Sequence, residues 1–270
     1  MVKLILHLGD IHLRTYKRHD EYGEIFKKTI KEIKKITSKY DRDEVRIVIA
    51  GDYVHQKITI SNEMLLLGTW FFKKLEKVAP IILIAGNHDM LENNYDRMDS
   101  LTPMVNFLSD LDIRYYKKSE CILDDNIVWC VYSIFEKNSR PNIEQAIEEY
   151  GDDKKYIGLF HGPLIGSSTD IGYTIDHGYG VEIFDGCHAV LCGDIHKRQQ
   201  LTYKDTPIVF CGSLCQQNFG ETVTNHGFLS WDVDTLTYNE HNIDNSYGFY
   251  QFTLNSIDDI ETESEIIKNY

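Results

Sequence analysis

Five stretches of the chain share one pattern, an apolar and mostly β-branched run that stops abruptly and hands over to Asp, Asn or His. Leu4-Ile5-Leu6-His7-Leu8 runs into Gly9-Asp10-Ile11-His12, residues 46–50 into Gly51-Asp52-Tyr53-Val54-His55, and residues 81–85 into Gly86-Asn87-His88-Asp89. Residues 156–160 deliver His161, and residues 189–192 deliver Gly193-Asp194-Ile195-His196. Short continuous apolar runs bounded by glycine predict strands buried on both faces, each carrying polar side chains to one edge of a sheet.

Between the first runs the apolar period becomes helical. Tyr22, Phe26, Ile30, Ile33 and Ile36 predict an amphipathic helix over about residues 21–39. A second helix is expected from Ser61 as N-cap, burying Leu66, Leu67, Trp70, Phe71, Leu75 and Val78 before Pro80 ends it. Strand, helix, strand, helix, strand is the order of a parallel α/β sheet, in which ligands gather at the carboxyl ends of the strands. The polar motifs fall at those ends.

Thr102-Pro103 then predicts the cap and first residue of a short helix, and residues 113–116, 120–123 and 127–132 read as strands of a second sheet. Residues 141–150, closed by Gly151, read as a further helix. Residues 162–185 are rich in Gly, Ser and Thr and predict a long loop that belongs to a binding site. Beyond residue 200 the chain is expected to be largely β, with strands over 200–203, 208–211, 227–232, 236–240 and 249–254 ahead of an acidic tail.

Composition bounds what the site can serve. Lys and Arg total 28 against 42 Asp and Glu, a formal net charge of −14, so the whole-molecule field repels nucleic acid and any such binding needs a local basic strip. Six cysteines without C-x-x-C spacing read as free thiols in a reducing compartment. The apolar start meets Asp10 and His12 at once, unlike a signal peptide, and no apolar run approaches membrane-spanning length. A cytoplasmic protein with no membrane contact is expected. The bias towards Ile, Lys, Asn, Tyr and Asp suits an AT-rich genome such as a phage's.

Carboxylates and imidazoles crowded at one edge resist joint ionisation unless a counter-charge is supplied. Two divalent cations would supply it. Carboxylate and carbonyl oxygens suit hard divalent metals and imidazole shifts the preference towards Mn, Fe or Zn, so a mixed Asp, His and Asn set without thiolate suggests a two-metal site. Asp52 is the candidate bridge, with Asp10, His12 and His196 completing one cation and Asn87, His161 and Asp194 the other. Such a pair can hold a phosphodiester and supply a hydroxide for in-line attack. His88 is the candidate general acid, a role worth about 100-fold to 10,000-fold in rate. His55 is placed to position the same phosphate. Arg14, Lys17, Arg18, Lys197 and Arg198 flank the first and last motifs, where phosphates of a longer strand would run or where a solvated basic face would stand. His7, His19, His177, His188, His226 and His241 lack the strand-end setting and read as surface or packing residues.

Asp10-x-His12, Gly51-Asp52-x-x-His55, Gly86-Asn87-His88-Asp89, His161 and Gly193-x-x-His196 resemble the motif series of calcineurin-like metallophosphoesterases. Residues 193–199, 212–221 and His226-Gly227-Phe228 narrow the likeness to the SbcD exonucleases of bacteria and phages, relatives of the eukaryotic double-strand-break repair nuclease. The resemblance covers residues 1–240. It implies an α/β fold, a four-layer α-β-β-α sandwich of two mixed sheets, and a Mn-dependent DNA exonuclease and endonuclease. It also implies DNA as partner, a homodimer, an SMC-like ATPase subunit of the SbcC kind, and, for a phage-encoded chain, the host cytoplasm. The ligand set and the role of His88 agree with the family pattern.

Two departures stand out. The family usually has His where Asp194 stands, which adds a carboxylate and favours Mg or Mn over imidazole-preferring metals. SbcD-type chains also continue into a DNA-capping domain and an ATPase-docking helical segment, so residues 241–270 read as a strand and tail that start the capping domain, or else the chain reads as a minimal nuclease that handles DNA differently. The rival readings are a phosphatase or small cyclic-nucleotide phosphodiesterase on the same scaffold, and a metal-free interaction module. Protein phosphatases would be expected to carry Asp-Arg-Gly after the second motif and Glu after Gly-Asn-His. This chain has Val54-His55 and Asp89 instead.

Overall fold

In the computed structural model, which describes residues 1–257 and 259–268, the first two apolar runs are strands β1 (Leu4–Leu8) and β2 (Val45–Ala50), joined by helix α1 (His19–Thr37). Helix α1 buries Tyr22, Phe26, Ile30 and Ile33 as their spacing predicts. Helix α2 (Asn62–Glu76) is capped by Ser61, whose hydroxyl accepts the Met64 amide at 3.2 Å. Its inner face is rotated from the expected one: Met64, Phe71, Phe72 and Leu75 are buried, while Leu66 is 70% exposed. Leu65-Leu66-Leu67 offers more apolar positions than one helix face can cover.

Strand β3 (Ile81–Ile84), helix α3 (Leu101–Phe107) and strand β4 (Ile113–Tyr115) follow. Helix α3 starts just before Thr102 because Asp99 accepts the amides of Leu101 and Thr102. Strand β4 corrects the sequence expectation, since it pairs in parallel with β3 in the first sheet rather than joining the second. The α3 connection is another parallel crossover, and a local apolar pattern does not encode which strand will be its neighbour.

The second sheet begins with the hairpin of β5 (Cys121–Asp124) and β6 (Ile127–Tyr132). Helix α4 (Ile143–Tyr150) is capped by Asn142, and strands β7 (Lys155–His161), β8 (Ala189–Gly193), β9 (Gln199–Tyr203) and β10 (Thr206–Phe210) complete that sheet. Strands β11 (Gly227–Asp232) and β12 (Tyr238–Asn242) return to the first, β11 antiparallel to β1 and β12 antiparallel to β11. Helix α5 (Asp259–Lys268) lies in the acidic tail. The strand expected over residues 249–254 is irregular backbone. Its aromatic alternation has the composition of a strand, but no neighbouring strand pairs with it among the described residues.

The sheets run β12-β11-β1-β2-β3-β4 and β5-β6-β7-β8-β10-β9. Residues facing between them, among them Ile5, Val48, Ile82, Trp129, Leu159 and Trp231, form the central core. Helices α1 to α3 pack on the outer face of the first sheet, and α4 with residues 181–184 packs on that of the second. This is the four-layer α-β-β-α sandwich with two mixed sheets. The sheets are also tied by a buried ion pair in which Arg46 of β2 meets Asp124 of β5 at 2.7 and 2.8 Å. That tie lies towards the start of β2, so the carboxyl ends of the parallel strands are left open for chemistry. Among the described residues no helix is long and apolar enough to cross a membrane.

Candidate metal centre

The loops after β1 and β2 are zipped together by backbone hydrogen bonds. The amides of Asp10, His12 and Leu13 donate to the carbonyls of Gly51, Asp52 and Tyr53, and the His55 amide returns to Leu13. Asp10, His12, Asp52 and Asp194 all adopt positive φ, at 47°, 51°, 51° and 100°. Backbone of this kind is costly for residues other than glycine and collects where a site is over-determined by its surroundings. Two glycines permit the approach of the loops. A Cβ on Gly86 would collide with Asp52 Oδ1, and one on Gly193 with the Ala50 carbonyl.

The strand-end side chains converge. Ligand-capable atoms of Asp10, His12 and His196 lie within 4.8 Å of one another, as do those of Asp10, Asp52 and His161. His12 Nε2 stands 2.9 Å from His196 Nε2. Asp52 turns one oxygen to each side, Oδ2 lying 3.4 Å from His12 Nε2 and Oδ1 3.4 Å from His161 Nε2. Asn87 Oδ1 is 3.4 Å and Asp194 Oδ1 3.7 Å from the same His161 nitrogen. The seven residues named from strand ends are therefore brought into one cluster. Asp52 sits between its halves.

Burial and crowding set the charges. Burial, with Asp52 and Asp194 close by, pushes the Asp10 carboxyl up to about 7, and burial raises Asp194 as well. Burial likewise opposes ionisation of Asp52, but the charge of His161 outweighs it and holds this carboxyl well below the ordinary range. Burial lowers His12, whereas in His161 burial is overcome by Asp52 and the pKa rises. Three carboxylates and three imidazoles packed this closely lack the positive charge that would let all the acids ionise together. Oxygen and nitrogen donors without thiolate, grouped about a shared carboxylate, fit a pair of divalent cations.

The surrounding bonds fix the donor atoms. His161 gives its Nδ1–H to the Ala50 carbonyl at 2.8 Å, turning Nε2 towards the cluster. His196 meets Glu221 through Nδ1 at 2.7 Å, and although burial opposes its charge, that bond raises its pKa to about 9. Carboxylates and carbonyls behind histidines commonly orient metal ligands in this way. His88 donates Nδ1–H to the His55 carbonyl at 2.8 Å, and its amide donates to Asp52 Oδ1. His55 Nδ1 lies 3.2 Å from His12 Nδ1; burial and then the charge of Arg14 lower its pKa to about 4. The rings of His12, His55, His88 and His196 border a cavity of about 290 Å³ together with Asn87, Asp194 and Arg14.

Two structural residues escaped the sequence reading. Asp89, fully buried, accepts the Val54 amide through Oδ1 and the Gly86 amide through Oδ2, stapling the second and third loops. Glu221 holds His196 and also accepts the Gln217 amide at 2.8 Å. Both lie inside segments that carry the family likeness, the one signal that pointed to them. The five basic candidates divide. Arg18 is held by Glu21 and the Gln216 carbonyl, and Arg198 by Glu240, Asn242 and the Cys211 carbonyl. Both guanidiniums are thus committed to protein groups rather than facing outward as expected. Lys17 is exposed, and Lys197 contacts Ser168 Oγ at 3.2 Å. In the long loop Tyr179 packs edge-on against Phe160, while Tyr173 is exposed.

An uncharacterised protein of Acanthamoeba polyphaga mimivirus is 36% identical over 274 residues, an alignment covering 99% of this chain and 20% of that one. The chain spans about a fifth of the length of this curated relative. Among solved structures, a novel archaeal phosphodiesterase aligns at TM-score 0.44 and 14% identity, over 89% of this chain and 99% of that one. A 5'-nucleotidase described as putative, from Staphylococcus aureus, aligns at 0.48 and 12%, over 99% and 58%. The nuclease MPE of Pseudomonas putida aligns at 0.32 and 15%, over 60% and 62%. None of the three decides the substrate. The family model for calcineurin-like phosphoesterases matches residues 3–198, a span that runs from β1 through every strand-end motif to His196, and the chain belongs to that family.

Proposed function

We propose that the chain is a two-metal-dependent DNA nuclease of the SbcD type, hydrolysing phosphodiester bonds with Mn or Mg at the strand-end cluster. One observation favours this over a phosphatase or small-molecule phosphodiesterase on the same scaffold. The three segments that resemble SbcD nucleases form one continuous wall: Glu221 holds His196, the Ser213 amide donates to the His196 carbonyl, and Ser213 Oγ bonds His226 Nδ1. Asp10, His12, Asp52 and His196 would hold one cation, and Asp52, Asn87, His161 and Asp194 the other. When bound, such a pair offsets the phosphodiester charge and acidifies water.

The remaining roles fall to this chain's own side chains. His88 gives Nδ1–H to the His55 carbonyl, so as a protonated imidazole it would hand the proton on Nε2 to the leaving oxygen. His55, neutral near pH 7, orients the phosphoryl group without adding charge. Asp10 accepts the Asp194 amide at 2.9 Å, so it also locks the β8 loop against the β1 loop. The same proposal takes a homodimer with an SMC-like ATPase in the host cytoplasm as the assembly. For these the support is the motif resemblance.

The test is incubation of linear duplex DNA with manganese, with and without chelator, beside a generic aryl phosphate monoester. Degradation of DNA that chelator abolishes is expected. Hydrolysis of the monoester with DNA left intact would move the chain to the phosphatase reading, and no turnover of either, with no metal retained, to the interaction module.

A further inference from the structure

Among the described residues, Arg14 is the one arginine or lysine that borders the cavity shared by His12, Asp52, His88, Asp194 and His196. Its backbone is well fixed, because Leu13 just before it is bonded on both sides to the β2 loop through Tyr53 and His55. Its side chain is not. Arg18, Arg46 and Arg198 each close on a carboxylate at 2.6 to 2.8 Å. Arg14 meets only the carbonyl and side-chain oxygens of Gln217, at 3.4 and 3.3 Å through Nη2, and its Nε is buried without a partner. A half-buried guanidinium that meets no carboxylate and leaves donors unmatched is short of an acceptor.

The cavity it faces is otherwise lined by acids, imidazoles and amides, so the missing acceptor must come from whatever enters. We propose that Arg14 binds a non-bridging oxygen of the phosphoryl group undergoing hydrolysis through its two Nη groups, with Gln217 as the shelf that holds the guanidinium in plane. This rests on the phosphoester reading of the cluster and adds to it a protein-borne cation at the reacting group, distinct from the strand-flanking role of Lys17 and Lys197. Gln217 is itself fixed, its amide donating to Glu221 and its Nε2 to the Ile11 and Cys215 carbonyls. Planar, two-pronged recognition of this kind is what arginine offers and lysine does not.

The experiment compares the wild type with Arg14→Gln and Arg14→Lys in two measurements on the manganese-loaded chain. The first is calorimetric binding of inorganic phosphate, which needs no turnover; the second is kcat/KM on thymidine 5'-(p-nitrophenyl) phosphate. Arg14→Gln should weaken phosphate binding and lower kcat/KM, each by about 10- to 100-fold, with manganese affinity and thermal midpoint unchanged. Arg14→Lys should recover part of both, since it restores charge without the fork. Equal phosphate affinity in wild type and Arg14→Gln overturns the proposal. Absence of phosphate binding in the wild type, or loss of manganese in the variant, overturns it equally. Phosphate binding that depends on Arg14, in a chain that leaves DNA intact, would sustain this role and sink the nuclease reading alone.

Discussion

Glu221 illustrates how the site is set by residues that are not themselves candidate ligands. Through its bond to His196 Nδ1 it selects the tautomer that leaves Nε2 facing His12, and it holds the Asn218 side chain at 2.6 Å. Replacement by Gln removes the charge that keeps the imidazole oriented and basic. Glu221→Gln is expected to weaken manganese affinity about 10- to 100-fold with little change in melting temperature, as read by competition with a chromophoric chelator. Unchanged affinity would mean that His196 is oriented by packing alone. The residue was hidden from sequence reading for a physical reason. It lies in a turn, 25 residues from the histidine it serves, and only the folded backbone joins them. Asp89 was hidden differently, since it stands beside Asn87 and His88 yet turns its carboxylate onto two backbone amides.

At the scale of elements, what the sequence disclosed was the burial of individual strands and their polar ends. Strands flanked on both faces are apolar at most positions, so β1, β2, β3, β7 and β8 announce themselves, as do the residues they release. Which strands become neighbours is a property of long-range pairing, and this is why β4 was expected in the wrong sheet. The reading of residues 249–254 failed because alternation describes a surface that fits a sheet, not the presence of one. Nor could a local pattern forecast that Arg46 would find Asp124 across the sandwich, 78 residues on. Burial disfavours charge on Asp124, but hydrogen bonds from Arg46 and Trp129, with Arg114 at 2.9 Å, overcome it and hold the pKa at about 2, below the ordinary 3.8. A depressed folded-state pKa stabilises above the unfolded value and ceases to do so as pH falls through the folded one, so the contribution here is on the order of 2 kcal/mol. Urea unfolding of wild type and Asp124→Asn should therefore differ most near pH 6 and converge as pH falls from about 4 to 2. Parallel curves over that range would remove the inter-sheet tie as a source of acid sensitivity.

For the molecule as a whole, the net charge of −14 and the proposed DNA substrate pull in opposite directions. A field of that sign slows the approach of a polyanion, and Arg18 and Arg198 are committed internally. Affinity should then come from the metal centre and a small number of lysines rather than from a broad basic face. That has a measurable signature, because each phosphate neutralised by a lysine adds about 0.9 to the slope of log affinity against log salt for duplex DNA. The wild type should show a shallow slope, and the double variant Lys17→Ala, Lys197→Ala a slope lower by about two, measured by fluorescence anisotropy with calcium in place of manganese to prevent cutting. Lys17 is exposed and Lys197 bonds Ser168 rather than a cluster residue, so metal binding provides the control. A slope that does not change would take both lysines out of the footprint and leave the strand held at the cleavage point alone; a steep slope in the wild type would mean that a positive surface is supplied from elsewhere, as it would be by a second copy of the chain.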